Sequence, residues 1–524
     1  MPVIILSGAI ASGKSTLAKI LESKGFFHLS TRAYIRAHIE KSNPSREELQ
    51  AEGERLDREE PKWLTRQVGW SSSIHRGVVV DAVRDVRQVD AIRREMNFKG
   101  VFHIHLTANG EELRARYNRR SESTEYDKAK EHHLEANIEA LASDCDLLID
   151  TSKCSADETA LRVGFACGII SHAADIPYVD VLVGGQYGSE GKGHVVAHIA
   201  PEYDFLVRVG GPNAGHTVLW EGKKYSFYHL PSGTLHNQGA KILLGAGAVI
   251  NPEILFKEID KAGVTADRLA IHPNANIITQ EDIADEAALI QKVGSTGQGV
   301  GLATARKIMY RGERKMAKDY GPFAPYIRDV DDLLERARDK GYKVLLEGTQ
   351  GTGLSLHHGP YPYVTSRDTT AGGTLAEAGI GIRYVRRIVM VVRTNPIRVA
   401  SPEGGTSGPM GREISWEDVA ERAGETGDVL RERERTTTTK RLRRVSEFDW
   451  KLLSRAVALN TPTDIALTFS DYISPENQKA RRFEQLTPET HDLIREIERI
   501  ASCPVSMITT RFHERSIIDR RSWK

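Results

Sequence analysis

Over residues 1–172, short apolar runs alternate with longer charged stretches. The runs 3–6, 78–80, 101–106 and 147–149 are rich in Val, Ile and Leu and predict buried strands. Residues 47–67 and 87–96 carry the longer amphipathic period of helices. Strands separated by helices predict a parallel α/β sheet. The pattern restarts at 179–183, a new apolar run after the stretch 171–177. Two domains are therefore expected, over 1–172 and 177–524, each a mainly parallel sheet flanked by helices. Segments 401–415 and 425–440 are dense in Gly, Ser, Thr and charge, and predict mobile loops. No internal repeat relates the two halves.

Composition narrows the function classes. A chain of 524 residues exceeds one ordinary domain. The net charge of +1 gives no basic surplus, so nucleic acid is not an expected partner. No apolar run approaches the ~20 residues of a membrane helix, so no membrane partner is expected either. The four cysteines, Cys145, Cys154, Cys167 and Cys503, lack metal-ligand spacing and predict neither a zinc site nor a disulfide framework. Their scarcity suits a reducing compartment, and the cytoplasm is the expected location.

Two glycine-rich loops follow predicted strands. The first, GAIASGKS at 8–15, matches the P-loop pattern between a strand and a helical run. Gly8 and Gly13 let backbone N–H groups wrap phosphate, Lys14 brings a cation, Ser15 offers an oxygen to Mg²⁺, and Thr16 opens the helix. The second is GGQYGSEGKG at 184–193, in the same strand–loop–helix context.

Around the first loop the chain resembles small P-loop nucleotide kinases of the adenylate kinase and dephospho-CoA kinase type. The resemblance implies an acceptor site near Thr31, Arg32 and Arg36. Asp81 and Arg84 would stand at the end of the next strand, and Arg116, Arg119 and Arg120 in an arginine-bearing lid. Those lid arginines equally suit a solvated helix face. The implied acceptor is a nucleoside monophosphate.

From residue 177 onward the chain resembles adenylosuccinate synthetases. Six motifs carry the likeness, in the family's order: GGQYGSEGKG, GGPNAGHT (210–217), GSTGQGVG (294–301), EGTQGTGLSLHHGPYPYVTSRDTTAGG (347–373), TTKRLRR (438–444) and TFSD (468–471). The family phosphorylates O6 of a purine 6-oxo nucleotide and then displaces the phosphate with the amine of aspartate. The resemblance implies His216 and Lys192 as catalytic groups and Asn213, Thr296, Gln350 and Thr365 as monophosphate contacts. It places substrate aspartate on Thr438, Thr439, Arg441 and Arg443. The nucleoside triphosphate falls on Gly188, Gly191, Gly193, Gly215, Thr217 and Asp471. Mg²⁺, held with the help of Gly215, ATP or GTP as donor, and a homodimer through this domain complete the expectation.

Four positions depart from the family pattern. Ser189 replaces its catalytic, metal-binding aspartate. Gln298 replaces a basic residue. Tyr310, beside Arg311, stands where an arginine reaches into the partner subunit. Phe469 replaces the lysine of the guanine-reading TKLD, which leaves Asp471 and weakens the case for GTP. Ser189 admits three readings: a catalytically silent purine-nucleotide sensor, an ordinary synthetase acting on IMP, or a changed substrate. An aspartate at N1 would crowd the 2-amino group of guanine, whereas serine leaves room. GQYGSEGKG is similar to the phage-type branch that makes 2-aminoadenylosuccinate from (d)GMP, and this third reading is the expectation, with Ser189 as a catalytic-site residue.

Overall fold

The computed structural model describes residues 2–39, 41, 44–75, 77–96, 100–119, 126, 138–169, 178–293, 295–401, 405–435 and 441–522. They form two compact units, Met1–Ala173 and Ala174–Lys524.

The first unit is built on a five-stranded sheet. Its strands run in the order Phe27–Ser30, Val78–Asp81, Val3–Gly8, Val101–Thr107, Leu147–Asp150, and every pair is parallel. The central strands Val3–Gly8 and Val78–Asp81 are buried along their whole length, which is why they read as unbroken apolar runs. Helix Lys14–Ser23 packs Leu17, Ala18 and Leu21 on one face of the sheet, and helix Trp63–Ile74 packs Trp63, Leu64 and Val68 on the other. The single helix expected over 47–67 is two helices, Arg46–Glu59 and Trp63–Ile74. Pro61 lies between them and has no N–H to continue the ladder. Ser45 starts the first with a capping box to Glu48.

The second unit carries a nine-stranded sheet. Its order is Leu269–Ile271, Lys241–Leu244, Phe205–Arg208, Val344–Glu347, Val179–Gly184, Val385–Arg393, Asp464–Thr468, Val505–Thr509, Ile517–Asp519. All neighbours are parallel except the last pair. Both units are thus α/β with mainly parallel sheets. Strand Val179–Gly184 is the middle of the nine, so its loop lies at the centre of the sheet's carboxyl edge. Three further motifs, those at 210–217, 347–373 and 468–471, leave the ends of the parallel strands Phe205–Arg208, Val344–Glu347 and Asp464–Thr468 at that edge, where open α/β sheets bind ligands. Residues 425–440, expected to be loop, include the helix Gly427–Arg433, which buries Leu430 against Trp416 and Val419.

Candidate active sites

In the second unit the loop after Val179–Gly184 leads into helix Lys192–Ile199, with Gly191 as a left-handed N-cap at φ 81°. Glu190 folds back into the loop. Its Oε1 accepts from the N–H groups of Gln186 at 3.0 Å and Gly188 at 2.7 Å, and its Oε2 accepts from Lys192 Nζ at 2.6 Å. Lys192 also donates to the Gly188 carbonyl at 3.1 Å. Glu190 and Lys192 are 0% and 1% exposed, and a pair this deep needs such additional bonds to stand. The loop lies close against two other motifs. A Cβ on Gly188, at φ 101°, would fall 3.0 Å from Gln350 Cα, and one on Gly193 would fall 3.1 Å from His216 Cβ. Ser189 is half-buried, and its carbonyl accepts from Arg393 Nη1 at 3.2 Å.

His216 begins the strand His216–Trp220 and is buried. Its Nδ1 lies 2.5 Å from Glu347 Oε1, at the end of strand Val344–Glu347. Glu347 also accepts from Ser232 Oγ at 2.5 Å, Ser232 N at 2.7 Å and Arg208 Nη1 at 3.2 Å. Burial opposes ionisation of Glu347, but Arg208 and His216 outweigh it and hold the carboxyl below its usual range. Burial, seconded by Arg208, holds His216 below the usual imidazole range. Fixing Nδ1 on Glu347 fixes the ring's orientation and leaves Nε2 buried without a partner. Thr217 Oγ1 is 3.0 Å from Ser226 Oγ, and Gly215 lies against the Tyr228 ring, where a Cβ would approach to 2.7 Å.

Three of the expected monophosphate contacts meet. Asn213 Nδ2 and Gln350 Nε2 both donate to Thr365 Oγ1, each at 3.3 Å. Asn213 Oδ1 is buried and unpartnered. Gln350 is held at φ 56°, a left-handed conformation that non-glycine residues rarely keep without surrounding support. Thr296 lies on another loop, ahead of helix Val300–Met309, and its carbonyl accepts from Gln298 Nε2 at 3.3 Å.

Of the expected aspartate contacts, Thr438 and Thr439 lie outside the described residues. Arg441 is exposed. Arg443 is 3.5 Å from Glu434 Oε2, and Glu434 also pairs with Arg393 at 3.2 Å and accepts from Tyr472 Oη at 2.7 Å. Arg393 is a hub: one guanidinium touches Ser189 and Glu434 and lies 3.9 Å over the Phe469 ring. One face of Phe469 is therefore already covered by a cation. Asp471 is buried in the turn Ser470–Tyr472.

In the first unit, Gly8 needs its positive φ of 130° and its lack of a side chain, since a Cβ would fall 2.0 Å from the Leu106 carbonyl oxygen. Gly13, at φ 100°, caps helix Lys14–Ser23. Lys14 Nζ donates to the carbonyls of Gly8 and Ala9, both at 2.7 Å, while Ser15 and Thr16 are exposed. Beneath the loop Ser7 Oγ lies 2.6 Å from His103 Nε2 and 2.9 Å from His105 Nδ1. Asp81 ends strand Val78–Asp81 with His28 Nε2 3.5 Å away. Arg32 and Arg36 are exposed on helix Thr31–Ala37, and Arg84 is half-buried. Arg116 donates to Thr151 Oγ1 at 2.8 Å, the Thr151 carbonyl at 2.9 Å and Glu112 at 3.0 Å. Arg120 lies outside the described residues.

Among the described residues, no three His, Cys, Asp or Glu side chains gather to hold a metal. Mg²⁺ bound mainly through nucleotide phosphates needs few protein oxygens. The exposed Ser15 hydroxyl and the half-buried Gly215 backbone are compatible with that supporting role.

Sequence reasoning passed over Arg208, Ser232, Glu347, Arg393 and Glu434 as functional groups. Two of them carried a signal: Arg208 and Arg393 close the apolar strands Phe205–Arg208 and Val385–Arg393, and each is 1% exposed. An arginine at the end of a buried strand requires an anionic partner.

A sequence model described as Adenylosuccinate synthetase matches residues 181–319 and 313–477. One described as AAA domain matches residues 4–140. The adenylosuccinate synthetase of Methanocaldococcus jannaschii is 37% identical over 351 residues, 65% of this chain and 96% of that protein. Among solved structures, the succinoaminodeoxyadenylate synthetase of cyanophage S-2L, bound to dGMP and to dATP as an energy donor, is 28% identical with a TM-score of 0.57. The match covers 66% of this chain and 96% of that one. The fully ligated adenylosuccinate synthetase from Plasmodium falciparum shares the fold, at 23% identity and a TM-score of 0.59, over 66% of this chain and all of that one (100%).

Proposed function

We propose a substrate for this chain, which belongs to the adenylosuccinate synthetase family: its ligase unit, residues 177–524, joins L-aspartate to C6 of (d)GMP and makes 2-amino-(deoxy)adenylosuccinate. The chain is a ligase of purine biosynthesis that also carries a kinase-like P-loop domain. Ser189 carries the reading of the substrate. It puts a small neutral hydroxyl into the loop that is packed on Gln350 and His216, where the family pattern has an aspartate. Likeness to the cyanophage enzyme, whose solved structure holds dGMP, supports it.

In the first step O6 of guanine attacks the γ-phosphorus of the donor and the nucleoside diphosphate leaves. In the second, the aspartate amine adds to C6, phosphate departs, and the amine loses its proton. Lys192 turns from Glu190 toward the phosphates. His216 meets the transferred phosphoryl group through Nε2, with Nδ1–H held by Glu347. An arriving phosphoryl charge favours the imidazolium and so offsets the effect of burial. Ser189 hydrogen-bonds the N1/2-amino edge, and the N1 proton passes to water or a substrate oxygen. When bound, Mg²⁺ would be held with the help of Gly215 and would supply charge neutralisation on the phosphates. Arg441 and Arg443, with Thr438 and Thr439, take the aspartate carboxylates; Arg443 exchanges Glu434 for substrate. Asn213, Gln350, Thr365 and Thr296 hold the monophosphate. The donor lies on Gly188, Gly191, Gly193, Gly215 and Thr217, with its base at Asp471.

The P-loop unit, residues 1–172, transfers phosphoryl to a nucleoside monophosphate, with Gly8, Gly13, Lys14, Ser15 and Thr16 on the donor. Arg32, Arg36, Asp81, Arg84, Arg116 and Arg120 take the acceptor. The ligase unit forms a homodimer. Ile308, Met309 and Tyr310 are exposed by 60%, 68% and 47% in a row at the end of helix Val300–Met309, an apolar patch that a second copy would cover. Light scattering of the purified chain reads this directly.

The test of the reaction is a turnover panel with L-aspartate, Mg²⁺, ATP or GTP, and dGMP, GMP or IMP. Aspartate-dependent product from dGMP or GMP supports the reading. Turnover of IMP alone restores an ordinary adenylosuccinate synthetase, and nucleotide binding without turnover describes a sensor.

A further inference from the structure

Arg367 is buried where two of the ligase motifs meet, just ahead of helix Ala371–Ala378. Its Nη2 lies 2.6 Å from Glu377 Oε2 on that helix, and its Nη1 donates to Thr349 Oγ1 at 2.8 Å. Thr349 is 2% exposed and passes the bond on, its Oγ1 donating to Gln350 Oε1 at 2.9 Å. Gln350 Nε2 in turn donates to Thr365 Oγ1 at 3.3 Å, where Asn213 Nδ2 also arrives. Gly210 leaves room for the first link: a Cβ there would fall 2.1 Å from Arg367 Nη1 and 2.5 Å from Thr349 Oγ1.

The direction of this relay is fixed at its buried end. A guanidinium donates, never accepts, and stays charged. Thr349 Oγ1 therefore accepts from Arg367, and its single proton goes to Gln350 Oε1. That turns Oε1 inward and leaves the amide nitrogen facing Thr365. The main chain of Gln350 is already fixed at φ 56° against the central glycine loop, where a Cβ on Gly188 would fall 3.0 Å from Gln350 Cα. At the far end Thr365 Oγ1 receives two amide N–H bonds, which use both its lone pairs and leave its own proton to donate outward. An amide turned the other way would present a carbonyl oxygen and take up that proton. Asn213 Oδ1 stays outside the relay, buried and without a partner.

We propose that Arg367 is a positioning residue: through Thr349 it sets the amide of Gln350 so that the Thr365 hydroxyl donates to an anionic oxygen of the substrate monophosphate. This rests on the reading of Asn213, Gln350 and Thr365 as monophosphate contacts. Glu377 holds the guanidinium in place, and the two side chains between Arg367 and Thr365 carry its polarity to the site.

The test is aspartate-dependent turnover by the full chain, read as separate KM values for the purine monophosphate, L-aspartate and the donor. Thr349→Val keeps the shape and the pair of Arg367 with Glu377 but cuts the relay. It is expected to raise KM for the monophosphate about 10- to 100-fold, with kcat and the other two KM values within about threefold of the parent. Thr349→Ser, which restores the hydroxyl, is expected to keep the parent KM. Arg367→Met is expected to show the same selective rise, and the two changes together no more than either alone. Should Arg367→Met fail to fold, Thr349→Val decides alone. The relay acts on phosphate, so the pattern is expected with whichever purine is turned over, and a change of purine bears on Ser189 alone. A Thr349→Val chain with the parent KM, equal rises for all three substrates, or a fall in kcat alone would overturn the proposal. A parent that turns over no purine would overturn it together with the ligase reading.

Discussion

The two glycine loops of this chain share a plan and hold their lysines differently. Lys14 is only partly buried and donates to two carbonyl oxygens of its own loop. Lys192 is buried and donates to the carboxylate of Glu190, which is itself tied to two backbone N–H groups. Carbonyl dipoles release a cation to an incoming phosphate readily. A buried ion pair holds it in a neutral, structured loop until a substrate offers a comparable charge. The first loop is an open cradle; the second is folded and charge-balanced before anything binds.

The largest expected break in that comparison is in stability. Lys192→Ala strands the Glu190 carboxylate in the core and should destabilise the second unit by about 3–5 kcal/mol. Lys14→Ala removes a half-exposed cation from neutral acceptors and should shift the first unit by about 1 kcal/mol or less. Urea unfolding with separate probes for the units checks both, and equal losses would erase the distinction. The double change Glu190→Gln with Lys192→Met should recover part of the loss.

Next in size is the orientation of His216. Glu347→Gln keeps the shape but no longer fixes Nδ1–H with a charge. Ligase kcat should fall about 10²- to 10³-fold, while KM for the nucleotides changes little. The kinase reaction proposed for the first unit, assayed as an internal control, should not change.

The glycines give a smaller contrast within the first loop. Gly8→Ala drives a Cβ into the Leu106 carbonyl and should abolish nucleotide binding. Gly13→Ala meets nothing within 4 Å and loses only its left-handed freedom, about 1–2 kcal/mol. Titration calorimetry with ATP separates them.

The smallest effect is one of pH. Burial, with His103 and Lys14 adding to it, holds His105 down at about 4, and His103 is also lowered, first by burial. Imidazoles kept neutral in the fold take up protons on unfolding. The stability they protect is therefore complete above the ordinary imidazole range and declines as pH falls from about 6.5 toward 4. The unfolding midpoint of the first unit should drop across that window, and Ser7→Ala should alter the drop.

The strands Val3–Gly8, Val78–Asp81 and Val179–Gly184 were legible because buried parallel strands are apolar on both faces, whereas the other eight strands of the large sheet were not read from the sequence. The strand Phe27–Ser30 escaped because it is short and includes His28 and Ser30. The helix break at Pro61 carried its own signal. The helix Gly427–Arg433 did not, because its composition is that of a charged loop and its stability comes from Leu430 packing on Trp416. At the site, the resemblance to adenylosuccinate synthetases pointed to the glycine-rich loops, and Asn213, Gln350 and Thr365 do converge. Glu434 gave no warning: it stands in a run of exposed charges, and only the fold buries it between Arg393 and Arg443.

The central claim is that Ser189 sets the purine. Its most direct measurement is kcat/KM for dGMP and for IMP, in the parent chain and in Ser189→Asp. The account predicts that the parent turns over dGMP well ahead of IMP and that Ser189→Asp reverses the order. A parent that uses IMP alone, or a ratio that Ser189→Asp leaves unchanged, would contradict it.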